Sequence, residues 1–188
     1  MNGGAGSARW VLGLFAAVAS LKSVRRKGWV LRGVRHAESV ADHSLAVAVL
    51  SAAIAASRGL DPGRAALIAV LHDIVESVTG DLTPDEKASM GATRLREVEL
   101  QAIERVIGGA PEEVRRVFLQ SLRDYEEGSS EEGRIVREVD KLEMALQALL
   151  YRDELGTSGV EEFVSSALSE IRDPEIRSLI EEAIGSAI

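Results

Sequence analysis

A chain of 188 residues without cysteine and with a formal net charge of −8 can bury a core without staples, and it excludes thiolate ligands, thiol nucleophiles and disulfides together. The acidic balance excludes a general nucleic-acid-polymer or membrane-surface binder, because those need a positive footprint. Positive charge is local instead. Lys22, Arg25, Arg26, Lys27, Arg32 and Arg35 fall within fourteen residues that contain no acid, a pattern that suits either a solvated turn or a phosphate-binding edge.

No stretch alternates in the manner of a strand, whereas helical spacing recurs almost throughout. The expected fold is all-α, a single-domain helical bundle over residues 1–188, with residues 1–6 flexible. Residues 10–21 (WVLGLFAAVASL) are apolar enough to imitate a signal peptide, yet Leu14, Val18 and Leu21 have helical spacing and dense positive charge follows. A retained first core helix in a cytoplasmic protein is expected. After the basic connector 22–35, Ser39 and Asp42 resemble a capping signal for a second helix ending near Gly59. Asp61-Pro62 opens a third helix that runs to about Val78, with Thr79-Gly80-Asp81 as the turn.

Further helices are expected from Thr83-Pro84, over 93–107, over 111–127 and, after Gly128-Ser129-Ser130, over 131–155. Gly156, Gly159 and Asp173-Pro174 punctuate the last two. The apolar pattern Phe163, Leu168, Ile171, Ile176, Leu179, Ile180 and Ile184 is expected to pack the bundle and to contribute to self-association.

The chemistry concentrates in four residues. Val40, His43, Val47, Leu50 and Ile54 share one face of the second helix, and Ile68, His72 and Val75 one face of the third. Val136, Asp140, Met144 and Gln147 form a stripe on the long helix. Each residue alone has a plain explanation: a hydrogen-bonded core histidine, a cap or a buried ion pair. His43, His72, Asp73 and Asp140 together make a nitrogen and oxygen set that suits Mn, Co, Fe, Ni or Zn, with Mg possible. Their number suits one divalent ion better than two. His36 has no apolar context and is expected at the surface or behind the site.

A His, a His-Asp pair and a distant Asp resemble the signature of the HD-domain superfamily of metal-dependent phosphohydrolases. The surrounding segments resemble its 5'-deoxynucleotidase branch: Gly28-Trp29-Val30, Glu38 to His43, Leu71 to Glu76, Thr79 to Leu82 and Val139 to Met144. The resemblance implies hydrolysis of deoxyribonucleoside 5'-monophosphates to deoxynucleoside and phosphate, with a divalent metal held by His43, His72, Asp73 and Asp140. It implies that Glu76 is the catalytic glutamate and that Asp81 lies near the sugar and the attacking water. It puts Arg26 and Trp29 at the phosphate and the sugar, with Arg25, Lys27 or Arg32 able to take the place of Arg26. It also implies at least a homodimer.

From position, Glu76 follows His72 by one helical turn and would stand at the rim of the metal site, able to protonate the leaving alkoxide. Trp29 would crowd the sugar against a 2'-hydroxyl. Two other readings compete. The same site could act on a triphosphate, a cyclic nucleotide or an alarmone. Alternatively the chain is a non-catalytic helical domain binding a protein through Asp124, Glu126, Glu127, Glu131 and Glu132.

Overall fold

The structure is a computed structural model that describes residues 9–186; the flexible start expected at residues 1–6 lies outside the described residues. The elements are α1 (Arg9–Leu21), α2 (Lys27–Leu31), α3 (Val40–Ser57), α4 (Pro62–Leu71), α5 (Glu76–Thr79), α6 (Pro84–Met90), α7 (Ala92–Ile107), α8 (Glu112–Glu127), α9 (Glu131–Leu150), α10 (Arg152–Glu170) and α11 (Pro174–Ser186). Among the described residues the only β pairing is one bridge between Arg25 and Ser39.

Local chemistry sets most of the boundaries. The Ser39 side chain accepts from the Asp42 amide, and the Asp42 carboxylate accepts from Ser39, which closes a capping box at α3. Asp61 caps α4 ahead of Pro62 at the first helical position. Gly128, in the left-handed conformation, ends α8 where a side chain would be strained. The helix expected to reach 155 stops at Leu150 and turns at Tyr151, and Gly156 then breaks α10 with φ 64° and ψ 175°.

α9 runs through the middle and packs against α3, α4, α8, α10 and α11. Val47, Ile68, Val136, Val139, Leu142, Ile176 and Ile180 form the centre of that core, each contributing about 1.5–3 kcal/mol by leaving water. A second cluster, with Leu21, Val40, Ile74, Ile107 and Leu122, joins α1 and α7 to the start of α3. The third holds Trp29, Val34, Ala37 and Ala148, with Tyr151 and Phe163 against them.

Three expectations change. Of the apolar residues on α1, Leu21 is buried but Val18, Leu12 and Phe15 are exposed, because the helix packs through Trp10, Leu14, Ala17 and Leu21. At the carboxyl end Ile171, Ile176 and Ile180 are core, and only Leu179 and Ile184 of that pattern are exposed. The acidic cluster is not one continuous solvent face. Asp124 is buried against Arg64, Gln120 and Ser129, and Glu132 is buried near Arg64 and the Asp61 amide.

Candidate metal centre

The third expected helix does not run through to Val78. α4 ends at Leu71 and α5 begins at Glu76, with His72 and Asp73 in the turn between them. The cause is local. His72 Nδ1 lies 2.6 Å from the Ala69 carbonyl oxygen, the acceptor that a continuing helix would offer to the Asp73 amide. The Ile74 and Glu76 amides instead donate to Leu71 and Asp73, three residues back, at 3.0 Å, which tightens the chain. His72 and Asp73 therefore leave a helix end together rather than following one face.

On α3, His43 is completely buried, and its Nδ1 lies 2.7 Å from Glu143 Oε2. Both histidines thus commit Nδ1–H to an oxygen, which leaves each Nε2 as the lone-pair nitrogen. Neither Nε2 has a hydrogen-bond partner, although both are buried. His43 Nε2 lies 3.1 Å from Asp140 Oδ1 and 3.8 Å from Asp73 Oδ2, and His72 Nε2 lies 3.1 Å from the same Asp73 oxygen. Ligand atoms of His43, His72 and Asp73 all fall within 4.8 Å of one another. Two orphaned imidazole nitrogens converging on two carboxylate oxygens fit a divalent ion.

The electrostatics agree. Burial and Arg26 oppose a charge on His43, yet Asp140 and Glu143 outweigh them and push its pKa up to about 10; what holds a proton there so firmly would hold a cation instead. Burial works against a charged Asp73, but His72 and Arg26 keep it well below the ordinary aspartate range. Asp140 is likewise held ionised against burial, by His43 and Lys141. An uncompensated buried carboxylate costs several kcal/mol. Around His43, the side chains of Asp73, Asp140 and Glu143 gather with Arg26 and Lys141.

The remaining expected residues gather at one cleft of about 440 Å³, lined among others by Arg26, Trp29, Asp73, Glu76, Asp81 and Asp140. Arg26 lies 3.4 Å from Asp73. The three alternatives are engaged elsewhere: Arg25 donates to the Ala37 carbonyl, Lys27 pairs with Glu86 at 2.7 Å and Arg32 with Glu162. Glu76 is 5% exposed with Oε2 unpartnered, and burial, with Asp73 and Asp81 close by, pushes its pKa up to about 9. Asp81 accepts from the Lys27 amide at 2.5 Å and so caps α2, the short helix behind Arg26. Trp29 is 2% exposed. Its indole N–H donates to Glu38 at 2.9 Å, and its ring packs against Phe163 and Tyr151. His36 is exposed.

Sequence reasoning assigned no role to four side chains at the centre. Glu143 follows Asp140 by three residues on α9, a spacing that could have revealed it; Glu38 and Lys141 lie beside motif residues. Tyr125 donates to Asp140 Oδ2 at 2.8 Å and stands beside His72. Its position on α8, far from any motif, gave no signal.

The fold and the centre define a class: an all-helical protein whose bundle core encloses a histidine and aspartate cluster suited to binding metal. The chain belongs to the HD-domain family, whose model, described as "HD domain", matches residues 18–180. It is similar to human 5'-deoxynucleotidase HDDC2, 34% identical over 176 residues that cover 93% of this chain and 85% of that protein. It is also similar to 5'-deoxynucleotidase YGK1 of Saccharomyces cerevisiae, 31% identical with 86% and 78% of the two chains covered. Among solved structures, the PH0347 protein of Pyrococcus horikoshii OT3 aligns with TM-score 0.71 and 30% identity over 94% of this chain and 97% of its own.

Proposed function

We propose that this protein is a metal-dependent 5'-deoxynucleotidase, which hydrolyses deoxyribonucleoside 5'-monophosphates to the deoxynucleoside and phosphate. The observation that carries the reading is the convergence of the unpartnered His43 and His72 Nε2 atoms on Asp73 and Asp140, at the edge of a cleft lined by Arg26 and Glu76. The relatives named 5'-deoxynucleotidase support the substrate class.

His43, His72, Asp73 and Asp140 would hold one divalent ion, and their nitrogen and oxygen donors favour Mn, Co, Fe, Ni or Zn over Mg. When bound, the ion polarises a phosphoryl oxygen and lowers the pKa of water. The chain's own groups do the rest. Arg26 binds the phosphoryl group as negative charge builds on it. Glu76, kept protonated at neutral pH by its buried position, gives its proton to the departing 5'-oxygen. Asp81 fixes α2 and with it the orientation of Arg26 and Trp29. Trp29, clamped by Glu38, Tyr151 and Phe163, walls the sugar end and leaves no room for a 2'-hydroxyl.

A homodimer joined through α1 and α3 is part of this proposal. Leu12, Phe15, Leu45 and Val49 are each more than 60% exposed on two helices that pack together, and burying such a face stabilises association. Phe15→Glu with Leu45→Glu should shift the sedimenting species to monomer. We also place the protein in the cytoplasm, a reading supported by α1, whose Ala17 and Leu21 pack into the domain. α3 is apolar enough to cross a membrane by length and composition, but its Val40, His43 and Val47 face is buried, which marks it as a core helix.

The test is phosphate release by metal-stripped protein reloaded with Mn, Co or Mg, on matched deoxyribo- and ribonucleoside monophosphates and a deoxynucleoside triphosphate. Release confined mainly to deoxy monophosphates and abolished by Asp73→Ala is expected. Triphosphate turnover would change the substrate class, and no turnover with any metal would end the enzyme reading. Trp29→Ala should relax the deoxy over ribo preference; unchanged selectivity would remove Trp29 from the sugar site.

A further inference from the structure

Four cations line the cleft: Arg26, Arg32, Lys87 and Lys141. Arg32 is held by Glu162, and Lys87 is exposed on α6. Only Arg26 and Lys141 touch carboxylates of the metal centre, and they touch different ones: Arg26 is 3.4 Å from Asp73, and Lys141 Nζ is 3.2 Å from Asp140 Oδ2.

Lys141 is one of several partners of Asp140. Oδ2 already accepts the Tyr125 hydroxyl at 2.8 Å, and Oδ1 faces His43. An ammonium has three N–H donors. Besides Asp140, this one pairs, among the described residues, with Glu170 at 3.7 Å, whose side chain is 54% exposed, a weak partner in water. Lys141 also borders an adjoining cavity of about 610 Å³, lined by Tyr125, Arg137 and Glu170 among others, so its flexible stem has room to move.

We propose that Lys141 is a phosphate-binding residue, which closes with Arg26 on the phosphoryl group of the nucleotide from the Asp140 side of the metal centre. The inference rests on the phosphomonoesterase reading for its substrate, but its chemistry is that of any phosphate dianion seated at the centre. With Arg26 bound beside Asp73, the arriving anion meets one cation next to each ligand carboxylate, and an N–H of Lys141 exchanges its loose contact with Glu170 for a charge-assisted hydrogen bond.

Binding is read with inorganic phosphate on the Mn-loaded full chain by calorimetry, for wild type, Lys141→Met, Lys141→Arg and Glu170→Gln. Lys141→Met should weaken phosphate about tenfold, the equivalent of one charge-assisted hydrogen bond, and raise KM for a deoxynucleoside monophosphate in parallel, while Mn affinity in a separate titration stays within about twofold. Lys141→Arg should recover most of the phosphate affinity, and Glu170→Gln, which removes the competing acceptor, should tighten it. If Lys141→Met instead loses Mn affinity and binds phosphate like wild type at saturating Mn, Lys141 only braces Asp140 and the proposal fails. Unchanged phosphate affinity in both Lys141→Met and Glu170→Gln also overturns it. Should Lys141→Met not fold, Glu170→Gln and Lys141→Arg decide alone. Wild-type protein that binds phosphate in this Lys141-dependent way yet hydrolyses no monophosphate would remove the nucleotidase reading and leave the phosphate site standing.

Discussion

Glu76 is the residue whose chemistry depends most on its surroundings. A glutamate in water is ionised at neutral pH and cannot donate a proton; burial, with Asp73 and Asp81 beside it, pushes the Glu76 pKa up to about 9. Glu76→Gln keeps the shape and removes the transferable proton. Turnover should fall about 10²–10⁴-fold, the range typical of general acid catalysis, with metal affinity by calorimetry unchanged. A variant that retains near wild-type turnover would take the proton-transfer role from Glu76. Glu143 shows the complementary case, a buried carboxylate behind the cleft that fixes the His43 ring so that Nε2 points at the centre.

At the scale of elements, the metal centre exists because α3, the α4–α5 turn and α9 converge, and α8 adds Tyr125 from a fourth direction. The α8–α9 approach depends on Gly133, where an added Cβ would lie 2.1 Å from the Asp124 carbonyl oxygen. Gly133→Ala would gain helix propensity in isolation. Here it should destabilise by about 1–3 kcal/mol, because backbone must separate to admit the methyl group, and the loss should be visible as a lower midpoint in urea.

The α10–α11 junction carries a pH dependence. Asp173 accepts the Glu175 and Ile176 amides and pairs with Arg58 at 2.5 Å, and this pairing, chiefly with Arg58, lowers its pKa below 3.8. A depressed carboxylate stabilises the fold above its unfolded pKa, and that contribution disappears as the pH falls through the lower folded value. Asp173→Asn should therefore cost about 1 kcal/mol near neutrality and flatten the stability curve below about pH 4. An unaltered acid limb in urea titrations would show that the pairing contributes nothing.

For the molecule as a whole, the metal centre is an electrostatic liability when empty, because two ionised carboxylates, buried Asp140 and half-buried Asp73, lie close together among the core-forming helices. Any ion that binds only the folded state adds stability by mass action, about 2.7 kcal/mol at a hundredfold excess over its Kd. Stripping with a chelator should lower the thermal midpoint, and Mn should restore it in proportion to the logarithm of its concentration. Asp140→Asn should blunt that response, since one ligand charge is gone. Equal midpoints with and without metal would argue that His43, His72, Asp73 and Asp140 hold no ion.

Much of this was legible in the chain. Helical periodicity announced the all-α class, and Ser39, Asp61-Pro62, Thr83-Pro84 and Ser130 fixed helix starts through contacts within a few residues. His43, His72, Asp73 and Asp140 stood out because polar groups on apolar faces are costly without a shared purpose. What the sequence determined by itself was therefore local: which segments are helices, and which few polar residues their faces turn inward. Only the tertiary structure decided that Asp81 caps α2, that Arg26 rather than Arg25, Lys27 or Arg32 meets Asp73, and that Tyr125, Glu143 and Lys141 close around the same centre. Those outcomes depend on distances between residues up to a hundred positions apart, as in His43 and Glu143; periodicity along a chain carries no such distances, and they are set only when packed helices bring separate faces together.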